Sequence, residues 1–175
     1  MANSFSKYDL FTVIPAVEAS PDYAAGDVLF APTEIPNFFR DESAAQIVSL
    51  CIIDKQIVST HAFTLYFTYS STALGTINAT AGVSIGTLEE IQATIPVVDG
   101  DWIAGGGAGS VDNANIATIT DPSVDGIGAI LKGSNWAGTS KKQSIHITGI
   151  ANETINVAST SDLIIKIGVK FFYCP

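Results

Sequence analysis

The residues of this chain best suited to chemistry are its two histidines, His61 and His146. Each lies in a segment that alternates apolar and polar side chains, and neither belongs to a His-Glu-x-x-His motif or has a cysteine pair at zinc spacing beside it. General-base catalysis needs a nucleophile and an orienting acid around the imidazole. Asp54 could supply that acid to His61, but only the fold decides whether the two meet. We therefore predict two surface or half-buried histidines, no catalytic residue and a protein that is not an enzyme.

The glycine-rich stretch at residues 105–109 has the composition of a phosphate-binding loop. Val111, Asp112 and Asn113 follow it, where such a loop has a lysine and the first turn of a helix. We therefore predict no nucleotide site and no cofactor.

Two pairs of aspartates, Asp99 with Asp101 and Asp121 with Asp125, fall in predicted loops. Carboxylate oxygens are the ligands that calcium takes, but the spacing is not that of an EF-hand and each group offers few carboxylates. Turn formation explains Asp-Gly pairs without a metal. We predict no metal site, and the sequence leaves open whether either pair binds calcium.

The composition is that of a compact, acidic chain. Hydrophobic residues make up 47% of its 175 residues and charged residues only 14%, which is far from the composition of a disordered protein. The net charge is −9, and Lys141, Lys142, Lys166 and Lys170 are too sparse for a phosphate-binding footprint. We therefore predict no nucleic-acid partner. Because few charged groups are available to cover the surface, we also expect some apolar area to face another subunit.

Cysteine usage and the first residues indicate where the protein is made. Cys51 and Cys174 do not form the dense cysteine framework of small secreted domains, so we expect reduced thiols and synthesis in a cytoplasm. The segment from Met1 to Tyr8 has no basic region followed by an apolar run, and no apolar run in the chain is long enough to cross a bilayer. We predict a soluble protein without a secretion signal or a membrane partner.

Alternation of apolar and polar residues with a period of two is the main structural signal. From Asp162 to Phe172 one parity is apolar and the other carries Lys166 and Lys170, which predicts a strand with one buried face. His61 to Tyr69 is predicted as a half-buried strand, and residues 46–54 as a strand that is apolar on both faces. Both faces of that strand should therefore be covered, either by a second sheet on one side and a subunit on the other or by the chain's own loops. Shorter strands are predicted at residues 27–30, 35–39, 95–98, 115–120, 127–131 and 144–150.

These segments predict an antiparallel sandwich or barrel over residues 27–175, with eight or nine strands. Residues 1–26 are predicted to form an arm or a first strand, and its aromatics Phe5, Tyr8 and Phe11 either dock on a neighbour or cap the chain's own core. Thr87 and Glu90 have the spacing of a capping box, which predicts one short helix near residues 87–92 that begins at Thr87.

Three stretches, taken in order, resemble a family of capsid decoration, or cement, proteins of tailed bacteriophages. The first runs from Arg40 to Asp54, a polar turn that leads into an apolar strand. The second runs from Val83 to Ile91 and is followed by a strand and Trp102, which is similar to the short helix, strand and aromatic of that family. The third runs from Ser159 through the closing strand to Val169.

The resemblance implies a jelly-roll sandwich and a mechanical function. Such a protein sits on the outer surface of an icosahedral head as a homotrimer and bridges major capsid subunits, so that the pressure of the packaged DNA does not open their seams. The implied partners are the major capsid protein and other copies of the chain, with no small-molecule substrate. The implied location is the virion, after synthesis in the cytoplasm of a host bacterium.

A second hypothesis comes from the aromatic residues. Trp102, Tyr66 or Trp136 could stack on sugar rings if exposed loops presented them, as in a tail-associated or carbohydrate-binding sandwich. A tryptophan in a loop more commonly covers the core, so this reading ranks second to the capsid role.

Overall fold

The computed structural model describes residues 7–39, 44–55, 61–104, 114–121, 126–132, 144–157 and 159–172. These residues form ten strands in two antiparallel sheets, with one short helix and one 3-10 turn, which confirms the predicted all-β antiparallel sandwich. The strands are β1 (Lys7–Val13), β2 (Val28–Ile35), β3 (Ala44–Asp54), β4 (Phe63–Thr68), β5 (Ile91–Val97), β6 (Trp102–Ala104), β7 (Asn115–Ile119), β8 (Ile130–Leu131), β9 (Ile145–Ala151) and β10 (Leu163–Phe172). The helix is α1 (Ile85–Leu88), and the 3-10 turn spans Asp99–Asp101.

The strand pairing is nested from the two ends of the chain toward its middle. β1 pairs with β10, β2 with β9, β3 with β7, and β4 with β5. The larger sheet has the order β1-β10-β3-β7-β6, with β8 added beside β3, and the smaller sheet has the order β2-β9-β4-β5. A long hairpin of four nested pairs rolled into two sheets is the pairing of a jelly roll.

The core lies between the two sheets and consists of the alternate side chains of each strand that face inward. In β10 the buried parity contains Leu163, Ile165, Ile167, Val169 and Phe171, as the alternation predicts. These side chains pack into one cluster with those of the smaller sheet, including Phe63, Leu65 and Phe67 of β4.

This chain buries only one face of β3, so its own loops do not complete the predicted cover on both faces, and cover of the second face by another subunit stays a prediction. Ile47, Leu50 and Ile52 are all fully buried and face the same core, whereas Val48, Cys51 and Ile53 are half-buried. Ile47 and Leu50 share a face because the pairing register with β10 shifts at this point: Gly168 pairs with Ser49 but Val169 with Ile47. One extra residue in a bulged strand reverses the parity downstream, and an alternation count does not detect it.

β9 is instead the strand that is buried on both faces, and all of its seven residues are buried. On its outward side, Ile150 packs with Val28 and with Leu74, which belongs to the connection between β4 and β5. Backbone bonds hold this connection in place, since the Val28 amide donates to the Ala79 carbonyl at 3.0 Å. The connection therefore covers the smaller sheet around Ile150.

Two element boundaries also differ from the sequence expectation. β2 runs without interruption through Pro32, and Pro36 to Phe39 form no strand, although Phe38 and Phe39 are buried in the core. Pro32 is tolerated because β2 is an edge strand and its register with β9 shifts between Phe30 and Thr33.

The N-cap of α1 lies three residues earlier than predicted, at Ser84 and not at Thr87. The Ser84 hydroxyl accepts from the Thr87 amide at 3.2 Å. Thr87 lies inside the helix and is buried, and the Glu90 carboxylate accepts from the Ser70 hydroxyl instead of closing a capping box. Two overlapping cap patterns compete here, and the tertiary contact of Glu90 selects the earlier one.

The first described segment is β1, an edge strand of the larger sheet. Phe11 packs on the chain's own core, with its ring centroid 5.0 Å from that of Phe38. Tyr8 points outward and is 61% exposed, while Phe5 lies outside the described residues. Phe11 therefore caps the chain's own core, whereas docking of Tyr8 on a neighbour stays a prediction. The two residues differ because alternate side chains of a strand face opposite sides.

Tyr23 provides a test of the core through its pH dependence. Its ring is buried, and its hydroxyl oxygen accepts from the Glu18 amide at 2.5 Å. Burial raises the pKa of Tyr23 above its ordinary value of 10.0, because the phenolate loses solvation, and the Glu18 carboxylate adds to the rise. A raised folded-state pKa gives stability that is complete below pH 10.0 and is lost as the pH rises through the folded-state value.

We expect Tyr23→Phe to lower the free energy of unfolding by about 1 kcal/mol at pH 7, because the Glu18 amide loses its acceptor. The variant should also lose less stability than the natural chain between pH 9 and pH 11. Urea unfolding across that range measures both effects. Equal alkaline losses in the two proteins would contradict the assignment to Tyr23.

Candidate functional site

A buried histidine-carboxylate pair lies at one end of the sandwich. β3 of the larger sheet ends at Asp54, and His61 precedes β4 of the smaller sheet. The His61 Nε2 lies 3.1 Å from the Asp54 Oδ2, and both residues are only 4% exposed. The fold therefore brings together the two residues that the sequence could only suggest, and their contact connects the two sheets.

The prediction that both histidines are surface or half-buried is wrong, since His146 is also buried, at 8% exposure. It lies in β9, between β2 and β4, where it pairs with Glu34 and Thr68, and all seven residues of this strand are buried. Alternation alone does not indicate this burial, because the burial of β9 depends on neighbours that are distant in the sequence.

A second carboxylate lies close to the pair. Asp162, just before β10, lines the same small cavity as Asp54 and His61, and its Oδ2 is buried without a hydrogen-bond partner in the described part of the chain. The rest of the lining is apolar: Val17, Leu29, Phe63, Ile155, Val157 and Leu163. One imidazole thus lies among two carboxylates in an apolar environment.

The chemistry available to this cluster is limited by its lining. Among the described residues that line the cavity, none carries a hydroxyl, a thiol or an amine that the imidazole could activate as a nucleophile. Within the described ranges, no three His, Cys, Asp or Glu residues are arranged to hold a metal ion. The arrangement acts as a polar contact between the sheets, and we call Asp54, His61 and Asp162 the inter-sheet cluster.

Trp102 supports this cluster and does not present a ring to solvent. It is buried at 9% exposure, its Nε1 donates to the His61 carbonyl oxygen at 2.9 Å, and its ring packs near Phe63. Tyr66 is half-buried against the Leu74 cluster, and Trp136 lies outside the described residues. Trp102 is therefore not positioned to stack on a sugar.

The aspartate pairs have local roles where the structure describes them. Asp99 and Asp101 form the 3-10 turn after β5, and the Asp101 Oδ2 accepts from the Val98 amide at 2.9 Å, as turn aspartates do. Asp121 is exposed just after β7. Asp125 and the glycine-rich stretch 105–109 lie outside the described residues.

Gly82-Val83-Ser84-Ile85-Gly86 has the Gly-x-Ser-x-Gly spacing of a hydrolase nucleophile. A nucleophile elbow places its serine on a strained turn between a strand and a helix. Ser84 instead follows a segment without strand pairing, has a relaxed φ of −80°, and uses its hydroxyl as the cap of α1. The match is a helix start and not a catalytic motif.

The outward face of the larger sheet carries a row of isoleucines. Ile103 of β6 pairs with Ile116 of β7, Ile116 with Ile53 of β3, and Ile53 with Ile164 of β10. Directly paired residues of neighbouring strands point to the same side, so the four side chains form one continuous row across four strands. Ile103 is 71% exposed, and the other three are half-buried. We call these four residues the isoleucine strip.

Lysines are the only charged residues that the described strands of this sheet point outward. Lys166 and Lys170 of β10 lie on the strip's side of the sheet, and the row next to the strip is Thr118, Cys51, Lys166 and Thr12. Lys170 lies over the rings of Tyr8 and Phe172. On a chain with a net charge of −9, this face is therefore both apolar and positive.

No protein-family model matches the chain, and comparison with curated proteins finds no match. No helix in the described ranges is long and apolar enough to span a membrane.

Proposed function

We propose that this chain is a structural virion protein that decorates and stabilises the icosahedral head of a tailed bacteriophage. It bridges major capsid subunits as a homotrimer on the outer surface of the head. The observation that carries the proposal is the isoleucine strip, an uncharged row on a rigid sheet that exposes Ile103 at 71%. The sequence resemblance gives the proposal its particular setting.

The physical argument starts from the cost of leaving such a row in water. Each buried apolar side chain contributes about 1.5–3 kcal/mol relative to its exposed state, so a row of isoleucines favours association with a matching surface. Contiguous exposed apolar patches on soluble proteins mark interaction sites. The strip lies on four paired strands, which hold its side chains in fixed positions. Binding through the strip therefore does not require a loop to become ordered.

A trimer on a repeating shell adds multivalency to the contact that each of its subunits makes with the shell. Three linked subunits engage three equivalent sites, and each further contact forms at the effective concentration set by the first. Modest individual contacts therefore give a persistent clamp on a lattice of major capsid proteins. The proposed action is binding and support, with no bond made or broken.

The charge of the chain fits the outer surface of a particle. A net charge of −9 disfavours contact with packaged DNA and keeps neighbouring particles from adhering through like surfaces. The proposal accordingly includes neither nucleic acid, membrane nor small-molecule substrate among the partners.

The test is a cryo-EM map of the source particle together with sedimentation of the purified chain. We expect density for a jelly-roll trimer on the head surface and a trimer at micromolar concentration. Ile116→Arg, in the strip, should weaken the trimer and thereby lower its occupancy on heads that lack the protein, whereas Leu10→Arg, at 63% exposure on the same face but outside the strip, should not. A strictly monomeric chain with no affinity for heads would overturn the proposal.

A further inference from the structure

A second exposed apolar patch lies on α1, far from the strip in the topology. Ile85 is 78% exposed and Leu88 is 53% exposed, and residues three apart on a helix are neighbours on its surface. The Ser84 cap and the buried Thr87 fix this helical turn on the body of the protein. Glu89 follows directly and is exposed. We call Ile85, Leu88 and Glu89 the helix knob.

The strip and the knob have opposite charges at their borders. Lys166 lies in the row next to the strip, and Glu89 lies beside Leu88 in the knob. Neither side chain forms an ion pair with any residue of the described ranges. The two surfaces are therefore complementary in both apolar character and charge, which is the combination that gives a contact its orientation.

One molecule cannot bring its own knob to its own strip. The knob belongs to the connection between β4 and β5 of the smaller sheet, whereas the strip is on the surface of the larger sheet that faces away from the smaller one. The two patches therefore belong to different sheets. Contact between them requires a second copy of the chain.

When one patch of a chain contacts a different patch of an identical chain, the contact is head-to-tail. Such contacts form a closed ring when the rotation between neighbouring chains adds up to a full turn. Every contact of a three-fold ring is of this kind, so a trimer needs two complementary surfaces on each chain. We propose that the helix knob of one copy docks on the isoleucine strip of the next, with Glu89 beside Lys166. The inference deepens the proposed function, because it names the two surfaces of its trimer.

Charge reversal tests the pairing of Glu89 with Lys166. Lys166→Glu or Glu89→Lys alone should weaken trimer formation about a hundredfold, because a ring repeats the like-charge contact at every interface. The double variant should return to within about threefold of the natural chain, since each contact regains opposite charges. Sedimentation velocity over a concentration series measures this, with Lys170→Glu as the control that should leave association nearly unchanged.

Cysteine crosslinking tests the head-to-tail geometry. In a Cys51→Ser, Cys174→Ser background, Glu89→Cys with Lys166→Cys should give covalent trimers on mild oxidation, while a mixture of the two single variants should give dimers only. Cys51 must be replaced because it pairs directly with Lys166 across β3 and β10. Cys174 lies outside the described residues, and the other changes are at exposed or half-buried positions; far-UV circular dichroism checks that each variant is folded.

The outcomes separate this inference from the proposed function. A trimer that both single reversals leave intact, or a Lys166→Cys chain that crosslinks to itself, would overturn the knob-on-strip contact while leaving a head-binding trimer in place. A chain that binds heads but stays monomeric would overturn the contact as well. Failure of the natural chain to bind heads, with the crosslinked trimer formed, would overturn the proposed function alone.

Discussion

His61→Ala is expected to lower the free energy of unfolding by about 3–5 kcal/mol, because it leaves the buried Asp54 carboxylate without the imidazole 3.1 Å away. Asp162 lines the same cavity with a buried Oδ2, so the variant also removes the imidazole from a mostly apolar cavity that two carboxylates line. Urea unfolding at pH 7 measures the loss. A cost below about 1 kcal/mol would show that the pair contributes little.

A double replacement is the matched control for this prediction. In His61→Leu with Asp54→Leu, both partners become apolar inside an apolar lining, so we expect the variant to recover at least about half of the loss. The two single variants and the double variant form a thermodynamic cycle whose coupling should be about 2 kcal/mol or more. Additive losses would contradict a direct interaction between the two side chains.

The inter-sheet cluster is linked to the proposed interface through the end of β3. Asp54 directly follows Ile53, which is a member of the isoleucine strip. A change that loosens the end of β3 therefore displaces the strip as well. We infer that the cluster positions the proposed interface through Ile53.

Gly126→Ala is expected to destabilise the protein by about 3–4 kcal/mol, from backbone strain and overpacking together. A Cβ at this position would lie 2.2 Å from the Thr94 carbonyl oxygen and 2.6 Å from the Ile95 Cγ1, and the residue has a φ of +84°. The clash is with backbone of β5, which cannot move without breaking its pairing with β4. Thermal and urea unfolding measure the loss.

Gly128→Ala separates the two causes, since its φ of +88° is nearly the same but its Cβ would meet nothing closer than 3.7 Å. This variant should cost about 1–2 kcal/mol, the penalty for a left-handed conformation in a residue with a side chain. The difference of about 2 kcal/mol between the variants is the contribution of close packing. Equal costs would mean that the segment moves away from β5 without resistance.

The sequence predicted those elements whose side-chain period is uninterrupted. β10 and β4 have the buried faces that their alternation indicates. Successive side chains of a strand point to opposite sides of the sheet, whichever strands lie beside it. The all-β class followed from the number of such segments and the turn residues between them. The sequence also indicated that apolar surface would remain for a partner, because only 14% of the residues are charged.

Contacts between distant residues were decided by the tertiary structure alone. The bulge opposite Gly168 put Ile47 and Leu50 on one face, the Ser70 contact of Glu90 helped select Ser84 as the helix cap, and the nested strand pairing brought Asp54 to His61. The isoleucine strip is the clearest case, since its four residues come from four strands and form a row only after the strands pair in one register. Local alternation specifies which side of a strand a residue faces, whereas pairing energy between strands specifies which residues lie beside it.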